Sequence, residues 1–181
     1  MRNAIFAALA LAAASLAGAS EGLDGPSADR APEQPVSAAL PIADQVVVHK
    51  GERRLYLLRD GQVLRSYHIA LGLRPQGSKE RSGDFRTPEG SYRLMRRNPH
   101  SDYFLSIQVS YPNAEDLQHA RARHWQAGGL IMIHGLPNEL RHPVDYYEST
   151  DWTDGCIALT DADMMEFWLL TQDNIPIDIE P

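Results

Sequence analysis

The feature that most restricts the fold of this chain is a run of short segments in which apolar and polar residues alternate, punctuated by glycine turns. QVVVHK, RLYLLR and QVLRSYHIALG follow one another from residue 45, separated by Lys50-Gly51 and Asp60-Gly61. Val47 and His49, then Leu55 and Leu57, recur at period two, which suits half-buried strands and not helices. Asp-Gly between two such runs favours an antiparallel hairpin, because its tight turn needs two residues at positive φ. The domain is therefore expected to open as a β-meander. Further strands are expected over 90–95 (GSYRLM), 103–109 (YFLSIQV) and 130–134 (LIMIH).

Two helices are expected among them, over 114–124 and 162–170. Asn113 and Thr160 each stand three residues before an acid, the arrangement in which a cap side chain and an acidic residue satisfy each other's backbone N–H groups. In the second helix Met164, Phe167 and Trp168 fall on one face, as a core-facing stripe does. The expected class is mainly β with short helices, an α+β domain.

With 181 residues and a formal net charge of -7, the chain offers no basic field for nucleic acid or an anionic membrane surface. Residues 1–19 place Arg2 before an Ala- and Leu-rich run that ends in Ala17-Gly18-Ala19, the pattern of a cleavable signal peptide. The apolar run is shorter than the roughly 20 residues of a membrane-crossing helix, so no span is expected after cleavage. Residues 20–44 are rich in Pro, Ala, Ser and acids and read as a flexible linker. The folded domain is then 45–181.

An exported chain meets an oxidising compartment, where cysteines normally pair, yet this chain carries only Cys156. A lone thiol is either a small buried hydrophobe or a nucleophile, and its neighbours distinguish the two. IMIHGLPN puts His134 at the end of an apolar strand with Gly135 behind it, and WTDGCIAL follows, with Gly155 before Cys156 and an apolar lead into the capped helix. A nucleophile needs a base within hydrogen-bond reach and a group that orients the base. Cys156 and His134 supply the first two, and amides around Gly155 and Cys156 could serve a developing oxyanion.

His134-Gly135 followed by Thr153-Asp154-Gly155-Cys156 resembles the signature of the L,D-transpeptidase catalytic domain (YkuD-like) family. The 45–72 hairpins, GDFRTPEGSYRL and NPHSDYFLSIQVSYPN match it as well, in the same order. The resemblance implies a β-sandwich-like catalytic domain acting in the periplasm on the peptide stems of peptidoglycan, in cell-wall organisation and cell shape. It implies Cys156 as acylated nucleophile and His134 as base. Gly135, Gly155 and Thr153 would orient these groups or the oxyanion. Acceptors would be the amine of a second stem, giving a 3-3 cross-link, or a lysine of a lipoprotein that becomes attached to the wall. With water the same residues would make an L,D-carboxypeptidase or an amidase releasing wall-linked lipoprotein, and without reactivity the domain would only bind wall. No cofactor is implied. No metal is expected, since His119 and His124 are five apart and do not share a helix face.

One position departs from the family pattern. Many members carry histidine where this chain has Asp154 and arginine where it has Ala158, and the Thr-Asp-Gly-Cys form resembles a variant branch that includes lipoprotein release. A carboxylate facing the thiol would raise its pKa, so Asp154 is expected either to point away or to pair with protonated His134 or with Arg141. Arg86, Arg141, Asp154 and Trp152 are candidate substrate contacts. For Arg86 the competing role is to brace its Pro turn through backbone carbonyls. The connection from Asn138 to Gly155, with His142, Tyr146, Tyr147 and Trp152, reads as a substrate cover.

Overall fold

A computed structural model describes residues 39–181. The expected signal peptide and most of the expected linker lie outside the described residues. The meander is present: β1 (Gln45–His49), β2 (Arg54–Arg59) and β3 (Gln62–His68) pair antiparallel in succession. At the β2–β3 turn Asp60 and Gly61 take φ of 52° and 74°, the backbone that this dipeptide favours. In β2 Leu55 and Leu57 are buried as expected, but in β1 the inward face belongs to Val46 and Val48, while Val47 and His49 are half-buried. The apolar run Val46-Val47-Val48 allows either phase, and packing decides it.

Packing decides it because β1 is not an edge. Its other side pairs parallel with β8 (Pro176–Glu180), Val46 opposite Ile177, a strand that local patterning in the sequence did not reveal. β8 in turn pairs antiparallel with the start of β4 (Gly90–Ser101). β4 runs well past the expected end at residue 95. Its first residues pair with β8 and the remainder with β5 (Phe104–Val109), with register shifts after Leu94 and Asn98 that bend it between the two. β6 (Met132–His134) and β7 (Ile157–Ala158) complete an eight-stranded sheet of order β3-β2-β1-β8-β4-β5-β6-β7.

The sheet curls until its ends meet. Beyond β3, Ala70 exchanges backbone hydrogen bonds with Ala158 of β7 (2.9 and 2.8 Å), and Gly72 bridges to Thr153. Inside lie Leu55, Leu57, Ile107, Ile133, Ile157 and Ile177, all fully buried. Helix α1 (Ala114–Ala122) is capped reciprocally by Asn113 and Asp116, and it lies on the surface with Ala120 as its one buried residue. α2 (Val144–Ser149) lies inside the connection expected to be a cover, and α3 (Asp161–Leu170), capped by Thr160, buries Met164 and Phe167. Trp168 packs half-buried beneath the Arg97 guanidinium, 4.8 Å from the ring centre.

The irregular segment from 70 to 89 is pinned by charged side chains. Lys50, 2% exposed, donates from Nζ to the Gly77 and Thr87 carbonyls and to Glu89 (2.7, 3.0 and 2.8 Å). Arg53 pairs with Asp151, which also accepts the Leu71 N–H, so the start of this segment is tied to the residue before Trp152.

Candidate active site

Direct pairing of β6 with β7 brings the two motifs together. β6 and β7 are adjacent and parallel, with His134 opposite Ala158, so Cys156 enters β7 beside the strand that ends in His134. Met132 and His134, two apart on β6, face one side, and there Cys156 Sγ accepts the Met132 N–H at 3.4 Å and lies 3.7 Å from the Leu130 carbonyl oxygen. Cys156, His134, Asp154, Trp152 and Thr153 all line one cavity of about 510 Å³.

His134 is 4% exposed, and its Nδ1 donates to its neighbour Gly135's carbonyl oxygen at 2.7 Å. This bond fixes the tautomer and leaves Nε2 with a free lone pair, as a proton acceptor requires. Gly135 is required at its position, since a Cβ there would lie 2.6 Å from Asp161 Oδ1. The ring is walled by Tyr103, 4.6 Å between centroids, and by Trp152, 5.5 Å and edge-on. Burial in this setting lowers the imidazole to about pH 4, with the Gly135 hydrogen bond opposing. Burial likewise pushes the Cys156 thiol up, and Asp154 adds to the rise while the Met132 N–H and Lys79 oppose it. At neutral pH the pair is thiol and neutral imidazole.

Thr153 holds the thiol turn. Its Oγ1 donates to the Cys156 carbonyl (2.7 Å) and accepts the Gly155 N–H (3.1 Å), while its own backbone pairs with Leu71 and Leu73. The Gly155 N–H is thereby engaged. Gly155 sits at φ 131°, and a Cβ there would lie 2.5 Å from the Arg86 carbonyl oxygen, so glycine is needed both for conformation and for approach.

The other expected residues divide. Asp154 faces the thiol cavity and makes no ion pair among the described residues, so its expected pairing with His134 or Arg141 is not present. Arg86 lies behind the thiol turn, its Nη1 3.5 Å from both the Ser78 carbonyl and Glu80, and does not line the cavity. Arg141 lines a second cavity of about 610 Å³, which shares Asp102, Tyr103 and Trp152 with the first. Its other wall is a run of rings: Trp152 against Tyr147 at 5.1 Å, Tyr147 against Tyr146 at 5.4 Å, and Tyr146 against His142 at 4.3 Å. No group of three or more His, Cys, Asp or Glu able to hold a metal occurs among the described residues. Sequence reasoning missed Tyr103 and Asp102, which sit at the β4–β5 turn and reach the site because β5 pairs with β6.

Comparison with known proteins bears on this geometry. The family model for the L,D-transpeptidase catalytic domain, YkuD, matches residues 43–179. The chain belongs to this family. Within the L,D-transpeptidase family, the Escherichia coli (strain K12) protein called "Putative L,D-transpeptidase YafK" is 36% identical over 96 residues, covering 50% of this chain and 37% of its own. The crystal structure of the helical cell shape determining protein Pgp2 from Campylobacter jejuni superposes with a TM-score of 0.55 at 28% identity, covering 75% of this chain and 46% of that one. An L,D-transpeptidase from Mycobacterium smegmatis shares the fold, with a TM-score of 0.51 at 15% identity over 76% of this chain and 58% of its own. The matched region thus covers less than half the length of YafK or Pgp2.

Proposed function

We propose that this chain is a periplasmic peptidoglycan L,D-transpeptidase that works through a Cys156 acyl-enzyme on tetrapeptide stems. The observation that carries the reading is that His134, its Nδ1 tied to Gly135 and its Nε2 free, shares one cavity with the only thiol of the chain.

Because both groups rest neutral, the proton leaves the thiol as the carbon–sulfur bond forms and not beforehand. Sγ attacks the carbonyl of the third stem residue, and the thiol proton passes to His134 Nε2. The Cys156 N–H is assigned to the oxyanion, the Gly155 N–H being already bound to Thr153. The carbon–nitrogen bond to the terminal D-alanine then breaks, and its amine takes the proton from His134. A primary amine attacks the resulting thioester, gives its proton to His134, and releases the thiolate, which recovers that proton. The acceptor is the side-chain amine of a second stem or a lipoprotein lysine. The second cavity supports an amine acceptor, since it adjoins the first at Trp152 and presents the carboxylates of Asp102 and Glu139. Residues 1–19 are read as the signal that delivers the domain to the periplasm.

Incubation with purified disaccharide-tetrapeptide tests this reading. It should release D-alanine and produce 3-3 dimers. Tripeptide without dimers would make the acceptor water and the protein a carboxypeptidase.

A further inference from the structure

Asp154 is held in place by its neighbours and is paired with none of them. On one side the backbone of Thr153 pairs with Leu71 and Leu73, and on the other Gly155 packs on the Arg86 carbonyl and gives its N–H to Thr153 Oγ1. Between these fixed residues the Asp154 side chain faces the thiol cavity and makes no ion pair among the described residues. Asp151, three positions earlier, by contrast pairs with Arg53 and accepts the Leu71 N–H. An unpaired carboxylate in the thiol's own cavity opposes the thiolate by like charge, so its place there calls for a positive partner.

The chain supplies no such partner in the cavity. Asp102 and Asp154 are its acidic side chains, and neither lysine nor arginine lines it, so a substrate carboxylate meets no fixed positive charge there, whereas an ammonium meets two carboxylates. His134, 4% exposed and with Nε2 unpartnered, marks the same cavity as the place of the substrate. Reach points to which ammonium. Asp154 stands two residues before Cys156, so the two Cα atoms are at most about 7 Å apart, and the arm of a lysine-like diamino acid spans about 7 Å from carbonyl carbon to side-chain nitrogen. An acyl carbon at Cys156 Sγ therefore leaves that nitrogen within range of Asp154. Asp154 lines the thiol cavity alone, whereas Asp102 is shared with the second cavity, the one assigned to the acceptor. An attacking amine must also shed its proton, and a carboxylate partner favours the charged form. The amine that suits Asp154 is the donor's.

We propose that Asp154 is the specificity residue for the donor stem: its carboxylate binds the protonated side-chain amine of the diamino acid whose carbonyl Cys156 attacks. A stem whose side-chain amine is already acylated, by a cross-link or by an attached protein, is neutral at that nitrogen and bulkier around it, and is a poor donor. The cavity thus selects stems that are still free at this amine. This inference rests on the reading that a stem acylates Cys156, and it names what the same cavity recognises.

The test compares disaccharide-tetrapeptide with the same compound acetylated at the side-chain amine. D-Alanine release gives kcat and KM on both for wild type and Asp154→Asn, with Asp154→Ser as the deciding variant if Asp154→Asn lacks a native circular dichroism spectrum. In wild type, acetylation should lower kcat/KM about 5- to 30-fold, mainly by raising KM. In the variant that preference should shrink to within about twofold, because the charge that reads the amine is gone. No preference in wild type overturns the proposal, as does a preference of the same size in the variant, which would make the acetyl group's bulk its whole cause. Calorimetric binding of both peptides to Cys156→Ser needs no turnover and separates this inference from the reading it rests on. Tighter binding of the free amine by a similar factor, with both peptides left uncut by wild type, refutes the transpeptidase reading and supports ammonium recognition in the cavity. Equal affinities, or no binding of either peptide, overturn the proposal.

Discussion

Burial of His134 should make the fold acid-sensitive in a way that one substitution can isolate. The imidazole titrates near pH 4 in the folded protein against 6.5 in an open chain, because the ring is enclosed by Tyr103 and Trp152. Its folded value is the lower one, so between these limits the unfolded chain binds a proton that the native state refuses. Stability contributed by the neutral ring is complete above pH 6.5 and is lost as the pH falls towards 4. At about 1.4 kcal/mol for each pH unit, the loss over this window is about 3 kcal/mol. The assay is chemical denaturation of wild type and His134→Gln near pH 7 and again near pH 4. Other groups titrate alike in both proteins, so the difference of differences reports this ring. Wild type should lose about 3 kcal/mol more than the variant on acidification. Equal losses would refute the burial argument, and with it the neutral thiol–imidazole pair.

Other consequences are equally direct. Thr153→Val keeps the side chain's shape but leaves the Gly155 N–H and the Cys156 carbonyl without partners, and should lower stability by about 2 kcal/mol in denaturant titration, whereas Thr153→Ser should retain most of it. Gly155→Ala forces a Cβ to 2.5 Å from the Arg86 carbonyl at a φ of 131°, so D-alanine release should fall at least about 100-fold together with a lowered thermal midpoint. Trp152→Ala admits water to the His134 ring, and the imidazole midpoint followed by NMR should rise from about 4 towards its ordinary value. If residues 1–19 are a cleaved export signal, intact mass of the secreted protein should correspond to a chain beginning at Ser20.

Features written into neighbouring residues were legible in the sequence. The Asp60-Gly61 turn, the Asn113 and Thr160 caps and the inward Met164 and Phe167 depend on contacts within a few positions. His134 and Cys156 were legible for a different reason: their chemistry is scarce, one thiol in the chain, and their flanking glycines carry a family resemblance. What was hidden depends on contacts between distant segments. β8 offers only Ile177 and Ile179 at period two, and its place between β1 and β4 is set by pairing with strands far away in the chain. α2 has no capping side chain to announce it, since Pro143 at its start makes no side-chain hydrogen bond. The acidity of His134 comes from Tyr103 and Trp152, contributed by a strand turn and by the cover. The unpaired state of Asp154 likewise needed the cavity to be seen, for a carboxylate beside a thiol does not say from sequence which cation, if any, stands opposite.

The central claim is that Cys156 becomes acylated by a peptide stem. Its most direct test is intact-protein mass spectrometry of wild type and Cys156→Ser after brief mixing with disaccharide-tetrapeptide. The account predicts a wild-type adduct of the substrate minus D-alanine, mapped to the peptide containing Cys156 and absent from the variant. Tetrapeptide consumed equally by both proteins, with no adduct on either, would contradict it.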